Sequence, residues 1–213
     1  MDSNVSYKGY PNHKLNPDQY TDDSQLILIA SRLLAKENWD PEIYAKELIH
    51  TYDLNKFRYP DGVTYAACKQ MKMTNDFIDS CVYSDSAGCI TLSVPFALAY
   101  KNRKEMAPNL FEVCGITHTH PEIFAATLSF ALFLNTLLKT GNPNIAYQTL
   151  LIATKNMDPE IASCINNAMR IEEIDIPIDK AIVIIGNTIS IYHTLPRAIF
   201  LCKRYNSPNE YLT

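Results

Sequence analysis

The sequence predicts an all-α protein, and three observations carry that prediction. The start signal X-Pro-Glu occurs at Asp40-Pro41-Glu42, His120-Pro121-Glu122 and Asp158-Pro159-Glu160, each time ahead of a helical period. Such a triplet offers a capping position, a proline in the first turn and an acid beside the positive end of the helix dipole. Residues 121–138 are apolar on nearly every side, as the central helix of a bundle should be. Runs of β-branched residues occur late, at 181–185 and 189–192, with no obvious partner strands elsewhere.

In chain order, residues 1–19 carry Gly9, Pro11 and Pro17 and no period, so they read as an extended lead-in. A buried helix is expected from 24 to 36, closed by Asn38-Trp39. Asp40-Pro41-Glu42 opens the next, with Tyr44, Ala45, Leu48, Ile49 and Tyr52 at helical spacing. Residues 53–62 read as a loop containing Asn55, Pro60 and Asp61-Gly62, followed by a short helix over 64–71. Ser84-Asp85-Ser86-Ala87-Gly88 is a small-residue loop, and Pro95 predicts a kink or restart within 89–100. Further helices are expected over 106–116, 121–138, 144–155 and 159–173, with Gly141-Asn142-Pro143 as a stop. In the tail, Ile189, Thr194, Leu195, Ala198, Ile199 and Cys202 also fit a helix kinked at Pro196, so strand and helix both remain open by period alone.

Composition narrows the class. A chain of 213 residues, 47% hydrophobic, can bury a full core as a single domain, or at most two. Its net charge of -4 and lack of a basic run argue against nucleic acid as a direct partner. Six scattered cysteines without a Cys-x-x-Cys pair suggest free thiols in a reducing compartment, and the N-terminus lacks an apolar signal core. The apolar stretch 123–138 is interrupted by Thr127, Ser129, Asn135 and Thr136, short of the roughly 18 clean apolar residues of a membrane span. The expectation is a soluble cytoplasmic protein with no membrane partner.

Thr21-Asp22-Asp23 is the first candidate for chemistry. It reads as a helix start, with Thr21 or Asp22 as cap and Gln25 as capping-box partner of Asp22. It also reads as three hard oxygen ligands, half of a Mg2+ or Ca2+ site. Thr117-His118-Thr119-His120 contains His-x-His, but no third zinc ligand stands at recognisable spacing. His120 as a helix cap and His118 as a satisfied polar group are the plain alternative. The 84–88 loop could face a phosphate with its backbone N–H groups or be an ordinary turn. No nucleophile elbow is present.

Taken in order, these segments resemble the ADP-ribosylglycohydrolase family. Thr21-Asp22-Asp23-Ser24-Gln25 is similar to its Thr-Asp-Asp-Thr helix start, and Asp40-Pro41-Glu42 to the start that follows. Ser84 through Pro95 looks like its Ser/Gly-rich loop and proline-containing helix. Thr117-His118-Thr119-His120-Pro121 matches a Thr-His-x-His/Asn-Pro stretch. Gly186-Asn187 through Leu195-Pro196-Arg197-Ala198 looks like its late Gly-Asn segment and helix. The resemblance implies an all-α orthogonal multi-helix bundle that binds two Mg2+ ions in a central cleft. It implies hydrolysis that releases ADP-ribose from a modified protein or a small conjugate. By it, Thr21, Asp22 and Asp23 are metal ligands, Asp22 and Asp23 the catalytic carboxylates. Ser84, Ser86, Gly88, His118 and His120 would border the substrate.

The sequence also departs from that pattern. No Gly-x-x-x-Gly-Asp-Ala-Leu-Gly segment precedes residue 20, and the sequence reaches Tyr211-Leu212-Thr213 about where a Gly-Gly-Asp-x-Asp-Ser/Thr motif would begin. Ser86-Ala87-Gly88 keeps one glycine of the usual pair, and Thr91-Leu92 stands in place of Met-Arg. The expectation is a half-encoded metal site that holds Mg2+ weakly. The rival expectations are a non-catalytic ADP-ribose binder and a helical interaction protein.

Overall fold

The computed structural model describes residues 19–37, 39–174 and 176–205. Among the described residues there are ten α-helices, one 3-10 helix and no strand, as expected for an all-α chain. The helices are α1 (Asp22–Ala35), α2 (Pro41–Asp53), α3 (Gly62–Thr74), α4 (Ser93–Ala99), α5 (Arg103–Gly115) and α6 (Pro121–Thr140). They continue as α7 (Pro143–Met157), α8 (Pro159–Glu172), α9 (Ile178–Ile185) and α10 (Ile191–Arg204). The 3-10 helix, Ala87–Leu92, runs straight into α4. The lead-in over 1–18, Asn38 and Tyr211-Leu212-Thr213 lie outside the described residues.

Capping chemistry sets the starts. Asp40 accepts from the N–H groups of Glu42 and Ile43, Asn142 from Asn144 and Ile145, and Asp158 from Ile161. In each case a proline fills the first turn, where its missing N–H costs nothing. Pro95 is handled in the same way: the chain restarts as α4 at Ser93, so the ring falls in the first turn. Pro108 and Pro196 sit inside α5 and α10. Helix α1 begins at Asp22, two residues before the expected start, and α5 begins at Arg103, behind the cap Asn102.

Helix α6 forms the centre. It packs against α4, α5, α7 and the 3-10 helix, burying Ile123, Ala126, Leu128 and Ala131 completely or nearly so. Each large apolar side chain removed from water there contributes about 1.5–3 kcal/mol. By length and composition α6 could cross a membrane, yet here it packs against α4, α5, α7, α10 and the 3-10 helix. Two of its polar interruptions are satisfied internally, while the buried Ser129 hydroxyl has no partner. Thr127 Oγ1 donates to the Ile123 carbonyl, and Asn135 Nδ2 donates to the carbonyls of Ala97 and Tyr100 at the end of α4.

The tail is helical. In α10, Ile191, Leu195, Pro196, Ile199 and Phe200 are buried, adjacent pairs recurring every four residues as on one face of a helix and not alternating as in a strand. In α9, Ala181 packs with Ala168 and Phe200, while Val183 and Ile184 face outward. The β-branched side chains yield to tertiary packing because no strand partner exists among the described residues.

Candidate functional site

The site is built where the first turn of α1 meets the loop before α3. Thr21 occupies the capping position of α1 in an extended conformation, but its side chain makes no capping hydrogen bond. Gln25 does not complete a capping box either. Its Nε2 donates to the Lys56 carbonyl at 2.9 Å, and its Oε1 accepts the Arg58 N–H at 2.9 Å. The amide therefore satisfies two backbone groups of an irregular loop that has no regular ladder to do so. The Asp22 N–H adds a third tie, donating to the Arg58 carbonyl at 2.9 Å. Arg58 lies over the Tyr20 ring, 4.7 Å from its centroid.

Asp22 is buried, and its Oδ2 accepts the N–H of Asp61 at 2.8 Å. Burial raises the Asp22 carboxyl above the usual range; the Asp61 N–H opposes the shift and the Asp61 charge adds to it. Asp23, the next residue on the same turn, is exposed. Partial desolvation first, then the charges of Asp22 and Asp61, push its carboxyl up to about 6.

Asp61 is the hub, and sequence reasoning placed it in a plain loop. It caps α3, with Oδ1 accepting from the Val63 N–H at 2.9 Å and Oδ2 from the Thr64 hydroxyl at 2.9 Å. Ser86 Oγ donates to Asp61 Oδ1 at 3.4 Å. A Cβ placed on Gly88 would lie 2.6 Å from Asp61 Oδ2, so a glycine is what lets the 84–88 loop come this close. The same Cβ would lie 3.7 Å from Cε1 of His118. Three segments far apart in sequence thus meet at Asp61. The turn Pro60-Asp61-Gly62 ahead of a helical run was the available signal, but it points equally to an ordinary cap.

His118 is 3% exposed, and its Nδ1 pairs with Thr117 Oγ1 at 2.8 Å. Its Nε2 is buried and has no hydrogen-bond partner. Burial lowers the imidazole pKa, against the pull of the Asp61 charge, so the ring is neutral near pH 7. The segment is pinned in place: Val82 N–H donates to the Thr117 carbonyl and Thr119 N–H to the Val82 carbonyl.

His120 occupies a different place. Its ring does not cap α6, although it holds the capping position. It pairs through Nδ1 with Glu122 and lies against the exposed ring of Tyr83, centroids 4.5 Å apart. Of the two histidines, His118 is the one that shares a neighbourhood with Asp22 and Asp61. Ser84 shapes the loop itself, its hydroxyl accepting the Ser86 N–H at 3.2 Å.

Thr21, Asp22 and Asp23 offer hard oxygens suited to Mg2+, and burial first, then neighbouring carboxylate charge, raises the carboxyls of Asp22 and Asp23. One Asp22 oxygen is occupied by Asp61, and consecutive residues on a helix point in diverging directions. Among the described residues, no three His, Cys, Asp or Glu side chains are grouped to hold a metal. The residues fit part of a hard-cation shell, with the remainder left to water. All six cysteines are unpaired and none joins the cluster.

The profile of the ADP-ribosylglycohydrolase family matches residues 3–213. An uncharacterized protein of Archaeoglobus fulgidus is 23% identical over 193 residues, covering 89% of this chain and 62% of its own length. A solved structure described as an "ADP-ribosylglycohydrolase-related protein complex" superposes with a TM-score of 0.73 at 18% identity. That match covers 93% of this chain and 64% of the other. The chain therefore spans under two thirds of the length of each relative.

Proposed function

The chain belongs to the ADP-ribosylglycohydrolase family, and we propose that it recognises ADP-ribose conjugates at the Asp22–Asp61–His118 cluster and hydrolyses their glycosidic bond. The observation that carries this reading is the meeting of three separately encoded segments at Asp61: Asp22 through its carboxylate, Ser86 and Gly88 through the loop, and His118 through its buried ring. A polar cluster of this kind needs a reason to persist, because unpaired buried polar atoms cost stability.

In this reading the 84–88 loop, with Ser84, Ser86 and Gly88, borders the ligand. His118 Nε2 offers one hydrogen bond to a ribose hydroxyl, from an imidazole that burial keeps neutral. Asp22 holds the Asp61 loop in position. Asp23 takes a proton from the water that attacks the anomeric carbon and returns it to the group that departs as the glycosidic bond breaks. His120 lies at the rim with Tyr83 and addresses the remainder of the conjugate, a modified protein or a small molecule. Thr21, Asp22 and Asp23 would hold Mg2+, which supplies positive charge for orienting the ligand oxygens. The unpaired cysteines agree with a cytoplasmic setting.

The test is release of free ADP-ribose from an ADP-ribosylated protein, followed by chromatography with Mg2+ present. Release that disappears in Asp23→Asn supports the enzyme. The missing third ligand in the acidic cluster favours a second reading, a binder without turnover. Tight ADP-ribose binding with no release would select it; absence of both would sink the ADP-ribose assignment.

A further inference from the structure

The 84–88 loop is held from outside the polar cluster. Ser190 Oγ donates to Asp85 Oδ2 at 2.5 Å across 105 residues of sequence. Backbone pairing flanks this contact: Ile191 N–H donates to the Asp85 carbonyl at 2.8 Å and Ala87 N–H to the Ile189 carbonyl at 2.9 Å. Ser86 and Ser190 thereby form an isolated antiparallel bridge.

The segment that grips the loop is itself braced. Gly186 has φ +108, and a Cβ there would lie 2.3 Å from the His193 ring, so the turn closes directly onto that imidazole. His193 Nδ1 pairs with Thr188 Oγ1 at 2.8 Å, and Thr188 Oγ1 accepts the Ser190 N–H at 3.2 Å. Arg197 donates to the Gly186 carbonyl and to Asn187 Oδ1. Ser190 also accepts the Tyr192 N–H as the cap of α10. A rigid abutment on α10 thus meets the loop at one charged hydrogen bond and two backbone bonds.

We infer that Asp85 and Ser190 form a clasp that fixes the 84–88 loop in its ligand-ready shape, making both positioning residues for ADP-ribose recognition. This rests on the reading that the loop borders ADP-ribose. The clasp acts through the loop: Asp85 precedes Ser86 and Ala87 lies between Ser86 and Gly88, so ties from both to residues 189–191 hold the two residues that face Asp61. Ordering the loop in advance spares the ligand the entropic cost of ordering it on binding.

The experiment measures ADP-ribose affinity by calorimetry and Ala87 amide exchange by NMR, on the full chain. Asp85→Ala is expected to weaken binding roughly tenfold, as loss of a charge-assisted hydrogen bond predicts, and to speed Ala87 exchange. Asp85→Asn, which retains an acceptor for Ser190, should restore most of both. Faster Ala87 exchange with unchanged affinity would overturn the positioning role, and unchanged exchange would overturn the clasp. If the unaltered chain binds no ADP-ribose, the functional reading and the positioning role fall together. The exchange data then report separately whether the clasp exists.

Discussion

The carboxylate of Asp22 accepts the backbone N–H of Asp61 at 2.8 Å, which joins the first turn of α1 to the cap of α3. Asp22 is buried, so Asp22→Ala leaves the Asp61 N–H without its acceptor. Such a loss costs about 1–3 kcal/mol. Asp22→Asn keeps a carbonyl in the same position and removes the charge that burial disfavours. Urea unfolding should therefore show Asp22→Ala clearly destabilised and Asp22→Asn close to the natural chain. Equal losses in both would mean that the charge, and not the acceptor, holds the loop.

The pH response follows from the raised carboxyls. A group with a folded pKa above its unfolded value binds more protons in the folded state between the two, so stability falls as pH rises through that window. For Asp23 the window runs from 3.8 to about 6, and Asp22 shifts in the same direction. Asp23 is exposed, and solvent screens part of the effect. Unfolding midpoints without divalent metal should decline between pH 4 and 6, less so in Asp23→Asn. A rise across that interval would contradict the raising of the two carboxyls by burial and neighbouring charge.

Gly88→Ala tests the close approach of the loop. The new methyl would lie 2.6 Å from an Asp61 oxygen that Thr64 already holds. The expected loss is about 1–3 kcal/mol, as for other overpacked positions. Pairing it with Asp61→Ala should give less than the sum of the two single losses, because the clash is then gone. Strict additivity in thermal unfolding would show that the two residues are not in contact.

Helix starts were legible in the sequence because their determinants are local. At Asp40 and Asp158 the cap, the proline and the acid fall within three consecutive residues, and both side chains cap as expected. The site was legible only in its pieces. Asp61 meets Asp22 and Ser86 from 39 and 25 residues away, distances at which no periodicity carries information. Gln25 was misread for a related reason. The local rule offered it the start of its own helix, while tertiary structure offered two loop backbone groups with no other ladder. His118 and His120 differ by two residues, yet the turn into α6 sends one ring into the cluster and the other to the rim beside Tyr83.

Metal binding separates a complete site from a partial one. Thr21, Asp22 and Asp23 supply at most three protein positions, and one Asp22 oxygen is committed to Asp61. Mg2+ prefers six oxygens in octahedral geometry, so water must supply at least half of the shell. Binding near millimolar Kd, about 4 kcal/mol, is the expected result. At millimolar metal such binding stabilises the fold by less than about 1 kcal/mol. Calorimetric titration of Mg2+ should show this weak binding, Asp23→Asn should abolish it, and stripping metal with a chelator should leave the unfolding midpoint almost unchanged. Micromolar binding by the unaltered chain would mean that the shell is already complete. Weak binding that Asp23→Asn leaves untouched would remove the metal role from this turn and leave Asp22 as the brace of the Asp61 loop.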